Sequence, residues 1–210
     1  MGAEAALVRL QLFSGTHAIS SALFGCLRPN DTMLCVSGKP YDTLEEVIGK
    51  RINSQTGALT GSLLDWGIKY EEIELLYNKE AAALNGRNVA FDLDLIDSML
   101  EKDPSIKLIH VQRFVYIHVA WLLHIFNNGH NYDRSCGYQW RPSIPIVEIE
   151  RLCTHINTKY KHSDKKRDVI VFVDNCYGEL VEDQEPGHVG KITLCVYIIL
   201  SLSSYLLYYC

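Results

Sequence analysis

The sequence predicts an α/β fold built on a doubly wound, mostly parallel sheet, and three observations carry that expectation. Short apolar or β-branched runs alternate with stretches whose apolar residues recur every three to four positions. Short polar turns, several with Gly or Pro, join one run to the next. The strand-like runs are near-continuously apolar, as strands covered by helices on both faces must be.

Taken in order, Ser14 and Thr16 can cap a helix in which Ala18, Ile19, Ala22 and Leu23 recur at helical spacing, with Pro29 beyond its end. "DTMLCVSGKP" (31–40) reads as a buried strand stopped by Gly38 and Pro40. "TLEEVIGK" (43–50) is a short helical segment, and "GIKYEEIEL" (67–75) alternates as a strand does. "DLDLIDSMLEKDP" (92–104) is an amphipathic helix ended by Pro104, followed by the strand "IKLIHVQ" (106–112). "PIVEIERLCTHINTKY" (145–160) is the next helix, and "DVIVFVDN" (168–175) the next strand. No internal repeat is visible.

At 210 residues the chain can bury one real core. A net charge of −5 with no basic stripe argues against a general nucleic-acid binder. Cys26, Cys35, Cys136, Cys153, Cys176, Cys195 and Cys210 are odd in number and include no C-x-x-C pair. That pattern suits the cytoplasm or another reducing compartment, rather than a disulfide framework or zinc site. No signal peptide is visible at the start of the chain. His118, His124 and His130 lie six apart, so no i, i+4 pair faces one metal, and no metal site is expected. Lys159, Lys161, Lys165, Lys166 and Arg167 read as a solvated loop.

Two stretches stand apart. Phe114 to Asp133 carries one charge, at its end, and Ile192 to Cys210 carries none. The second is just long enough for a membrane-spanning helix, which needs about 20 residues, so a tail anchor through 192–210 is a minor alternative.

Ligands of doubly wound sheets sit beyond the carboxyl ends of the strands. Three features fall there. Ser14-Gly15-Thr16 is a small-residue turn entering a helix, either a phosphate site or an ordinary cap. Tyr41, in the turn after "SGKP", either stacks on a flat ligand or lies half buried. Asp174, at the tip of "VIVFVD", either pairs with a protonated ring nitrogen or forms a turn with Asn175.

Together "FSGTHAI", "LRPND", "GKPYDTLEEVIG", "GSLLDWGIKY", "SCGYQWRPS" and "VFVDNCYGELVEDQEPGHVG" resemble one family. It is the methionine gamma-lyase-like group, also called aluminium-resistance proteins, in the Cys/Met-metabolism branch of fold type I pyridoxal-phosphate enzymes. The resemblance covers Gly2 to about Arg113 and about Ser135 to Gly190. It implies an incomplete aspartate-aminotransferase-like large domain over 1–190, interrupted near 114–134 by a foreign apolar insert and followed by a non-family tail at 191–210. It further implies pyridoxal 5'-phosphate as cofactor, a sulfur-containing amino acid as substrate, carbon–sulfur lyase chemistry and a homo-oligomer. Ser14, Gly15 and Thr16 would then form the phosphate turn, Tyr41 would stack on the ring, and Asp174 would meet its nitrogen. Arg141, in "YQWRPS", matches a family arginine and is carried as a site residue.

The departures shape the expectation equally. After "EPGHVG" the family continues into a "SLIKNPGGG"-like segment whose lysine forms the Schiff base, whereas here no lysine follows Lys191, which stands too early. No catalytic residue is therefore assigned, and little turnover is expected of this chain. The alternative is a non-enzymatic product, a truncated isoform or a translated gene model with retained non-coding sequence, that at most pairs with a full-length subunit. An upstream arm and a C-terminal small domain are expected to be missing, and loss of the family strand after Gly190 to leave a bare sheet edge.

Overall fold

A computed structural model of the chain describes residues 5–9, 11–52, 57, 61–77, 80–81, 88–113, 143–161, 167–176, 178, 182–189, 194–199 and 204–209. The elements run β1 (Ala5–Arg9), α1 (Gly15–Cys26), β2 (Thr32–Cys35), α2 (Asp42–Ile48), β3 (Lys69–Glu72), β4 (Leu76–Tyr77) and β5 (Val89–Ala90). They continue with α3 (Leu93–Lys102), β6 (Ile106–Gln112), α4 (Ile146–Ile156), β7 (Ile170–Asp174), β8 (Leu194–Ile199) and β9 (Ser204–Tyr209). A π-helical turn, Asn157–Lys161, extends α4, and a 3-10 turn spans Pro186–Val189.

The main sheet has the order β1-β9-β8-β7-β6-β2-β3. From β3 to β8 every neighbour is parallel, while β9 runs antiparallel to both β8 and β1. The predicted doubly wound, mostly parallel sheet is therefore present.

Side chains alternate across a strand, so each central strand feeds two cores. Met33, Leu108 and Phe172 pack with Ala18, Ile19 and Leu23 of α1 and Leu44 and Ile48 of α2. Leu34, Val36, Ile109, Val111, Val171 and Val173 point the other way, against Ile96 and Leu100 of α3 and Ile149 and Leu152 of α4. Each fully buried Leu, Ile or Phe contributes roughly 1.5–3 kcal/mol, which is why the apolar runs become the middle of the sheet.

The local signals act as their chemistry requires. Ser14 caps α1, its Oγ accepting the His17 N–H at 3.1 Å. Asp92 does the same for α3, accepting from Leu95 at 2.9 Å. α2 stops at Gly49, whose φ of 100° is the left-handed cap that glycine supplies without strain.

Three expectations need correction. The tail does not form an apolar helix: residues 194–199 and 204–209 are strands, and among the described residues no helix is long and apolar enough to cross a membrane. "LCVYII" and "SYLLYY" are rich in β-branched and aromatic residues, which favour a pleated, half-buried strand. The edge of β7 is consequently not bare, because β8 pairs with it from Phe172–Leu194 to Asp174–Val196. Arg167 does not lie in a solvated loop either. Its guanidinium donates to the carbonyl of Leu100, to that of Asp103 at 2.8 Å and to that of Ile106 at 2.7 Å, tying the end of α3 to the start of β6. The insert near 114–134, with its three histidines, lies outside the described residues, as do Arg141 and Lys191.

Candidate functional site

The site opens at the carboxyl ends of β2, β6 and β7, on the sheet face that carries α1. Cys35, His110 and Phe172 stand in register across the three strands. Cys35 Sγ lies 3.5 Å from His110 Nδ1, and the His110 ring stacks on Phe172 at 5.4 Å between centroids. Two residues further on, the same face presents Gln112 and Asp174, again paired in register. Period-two alternation thus places Asp174 beyond a layer of buried rings, facing the start of α1.

Asp174 is 2% exposed. Its Oδ1 accepts the Cys176 N–H at 3.0 Å, and among the described residues it has no ion-pair partner. Burial raises its pKa from the usual carboxylate range to about 6, and hydrogen bonds from the Cys176 side chain and N–H oppose that rise. A buried carboxyl group in this condition favours a cation placed against it.

Tyr41 roofs the same space. Its N–H donates to Gln112 Oε1 at 3.3 Å, and its hydroxyl lies 3.1 Å from Thr16 Oγ1. Thr16 Oγ1 is also 2.9 Å from Thr43 Oγ1, so hydroxyls of α1, α2 and the intervening turn form one cluster. Burial, reinforced by the nearby Asp174 charge, pushes the Tyr41 phenol well above its ordinary value and keeps it neutral. Ser14 spends its side chain on the cap, leaving the first-turn N–H groups and the positive end of α1 to face the site.

The structure therefore brings Ser14, Gly15, Thr16, Tyr41 and Asp174 to one place. The local member of each pair of alternatives is present, Tyr41 being partly buried. Ser14 does cap, and Asp174 does accept from the turn that follows it.

Several residues here were not read from the sequence. Gln112 links Tyr41 to β6, and its own N–H donates to Ser37 Oγ at 2.9 Å. A polar residue closing the otherwise apolar "IKLIHVQ" was the available signal. Thr43 left no signal beyond its place at a helix start. Arg113 is the largest omission: it is 1% exposed. Its Nε donates to Ile144 O at 3.0 Å, and its terminal nitrogens to Asn175 Oδ1 at 2.8 Å, Gly178 O at 3.2 Å and Glu182 Oε1 at 2.5 Å. A charge placed directly after an apolar strand marks it in the sequence.

Comparison with known proteins gives a consistent result. A family profile described as methionine gamma-lyase matches residues 1–120 and 130–201. An uncharacterized protein of Bacillus subtilis (strain 168), YnbB, is 40% identical over 195 residues, which is 90% of this chain and 35% of YnbB. The crystal structure of a carbon-sulfur lyase involved in aluminum resistance from Clostridium novyi NT aligns with a TM-score of 0.68 and 34% identity, covering 97% of this chain and 40% of that one. The apo methionine gamma lyase from Micromonospora echinospora, at 14% identity and a TM-score of 0.50 over 99% of this chain and 40% of that one, shares the fold. The chain spans 35% of the curated relative and about two fifths of the solved ones.

Proposed function

The chain belongs to the methionine gamma-lyase family, and from that premise we propose that its cup seats pyridoxal 5'-phosphate for a carbon–sulfur lyase acting on a sulfur-containing amino acid. The observation that carries this reading is Asp174: a buried carboxyl group without an ion pair among the described residues, in strand register with the Gln112 that holds Tyr41. The residues present suit the cofactor. Ser14, Gly15 and Thr16 would hold the phosphate at the α1 N-terminus, Tyr41 would cover the ring face, and Asp174 would meet the ring nitrogen.

Bound there, the cofactor supplies an electron sink for breaking bonds near the substrate amino group. The chain's own residues prepare that seat. Asp174, once ionised, keeps a proton on the nitrogen opposite it. Tyr41 is held neutral and excludes water from one face. Thr43 fixes the Thr16 hydroxyl, and Gln112 fixes the Tyr41 backbone. Among the described residues Lys39, Lys50, Lys107 and Lys159 pair with Glu45, Glu72, Asp168 and Asp97. Because residues 192–210 hold no lysine where the family's Schiff-base segment is expected, we read the chain as a cofactor seat with little turnover of its own.

The test is a spectroscopic titration of the purified chain with pyridoxal phosphate. Saturable binding that borohydride does not make permanent is expected, weakened about tenfold or more in Asp174→Asn, a loss of about 1.4 kcal/mol. Equal binding by the variant overturns the seat. Permanent attachment overturns the statement about turnover.

A further inference from the structure

We propose that Arg113 is a positioning residue of this cup: from the opposite face of the sheet it fixes the turn 174–178, and so aims the Asp174 carboxylate. The inference rests on the reading of the cup given above and assigns a role to a residue outside it.

Arg113 holds Asp174 from both sides of its peptide. Its backbone N–H donates to Asp174 O at 2.8 Å. Its side chain then reaches past Asp174 to the next residues, Asn175 Oδ1 and Gly178 O. The turn closes on itself as Gly178 N–H donates to Asn175 O at 2.8 Å. Cys176, whose N–H is the donor that orients Asp174 Oδ1, lies inside this closed turn. Displacing the guanidinium therefore moves Cys176, which hydrogen-bonds the carboxylate.

The fit is tight enough to constrain the sequence. A Cβ on Gly178 would stand 2.6 Å from Asn175 Oδ1 and 3.1 Å from the Arg113 terminal nitrogen. Asn175 cannot swing away, because its amide donates to Glu185 Oε2 at 3.0 Å. Glu182 closes the far side, accepting from Arg113 and, at 3.3 Å, from the Ile146 N–H at the start of α4. Every nitrogen of the guanidinium is thereby engaged. Burying such a charge costs several kcal/mol before its partners compensate, and a mere filler at this position would be served by an apolar side chain. A lysine offers a point charge in place of a planar fork and cannot span Ile144, Asn175 and Glu182 together. The causes that set the Asp174 acidity are burial and Cys176, so Arg113 acts on it through geometry.

The experiment compares the full chain with Arg113→Lys and Arg113→Gln in two measurements. Amide hydrogen exchange without cofactor reads the turn directly. Cys176 and Gly178 are expected to exchange about tenfold faster or more in both variants, while Val171 and Val173 of β7 keep their protection. Circular dichroism of the bound cofactor band reads the consequence, a weakened signal in both variants. Uniformly faster exchange across β7 and the turn would show a merely structural role and overturn the proposal, as would unchanged exchange at Cys176. Rescue of the dichroic band by Arg113→Lys also overturns it. If the wild-type chain binds no cofactor while the exchange pattern is as expected, the reading of the cup falls and the positioning of Asp174 by Arg113 stands.

Discussion

At Asp174 the cost of burying a charge and the need for one meet in a single side chain. Its folded pKa, about 6, lies above the 3.8 of an ordinary exposed aspartate, so between these the folded chain binds more protons than the unfolded one. Stability from this group is therefore fully present below pH 3.8 and is lost as pH rises through about 6. Without cofactor the penalty above that range is on the order of 3 kcal/mol. Asp174→Asn keeps an oxygen for the Cys176 N–H and removes the penalty. Its melting temperature is expected to exceed wild type at pH 8 and to match it near pH 4, measured without cofactor. Added pyridoxal phosphate should raise the wild-type melting temperature at pH 8 by more than it raises that of the variant. Asp174 was legible as a residue, since an acid ends an apolar strand. Whether it would cap a turn or face a ligand was not, because both uses look alike until the strand's facing direction is known.

Helix ends and turns are the elements that position the cup, and their signals were written locally. Ser14 both starts α1 and stands in the candidate phosphate turn. Ser14→Ala should cost about 1 kcal/mol in chemical denaturation, the usual worth of such a cap. It should also weaken cofactor binding, since the first turn of α1 then frays at the site. Gly49 ends α2 with φ of 100°, and a Cβ there would lie 2.5 Å from Ser62 Oγ. Gly49→Ala should cost about 1–3 kcal/mol by the same measurement, combining left-handed strain with overpacking. These elements were readable because caps and stops depend on neighbours within a turn. The π-turn Asn157–Lys161 was not: its Lys159 and Tyr160 are held by Asp97 of α3, a partner distant in sequence.

At the scale of the molecule, β8 and β9 lie between β7 and β1, so the uncharged tail completes the sheet. Removing residues 192–210 should expose the β7 edge and shift the chain to large aggregates in size-exclusion chromatography. An unchanged elution position would show that these strands are dispensable. The sequence by itself determined the alternating helices and strands, the parallel sheet, the family and the carboxyl-end placement of Ser14, Tyr41 and Asp174, since each follows from periodicity, short-range chemistry or long ordered motifs. Only the tertiary structure decided that an apolar tail becomes two strands, that Thr43 and Gln112 brace Tyr41, and that Arg113 locks the Asp174 turn. Those outcomes depend on which strand lies beside which, and a period-two pattern states that a strand has two faces without saying what will meet them.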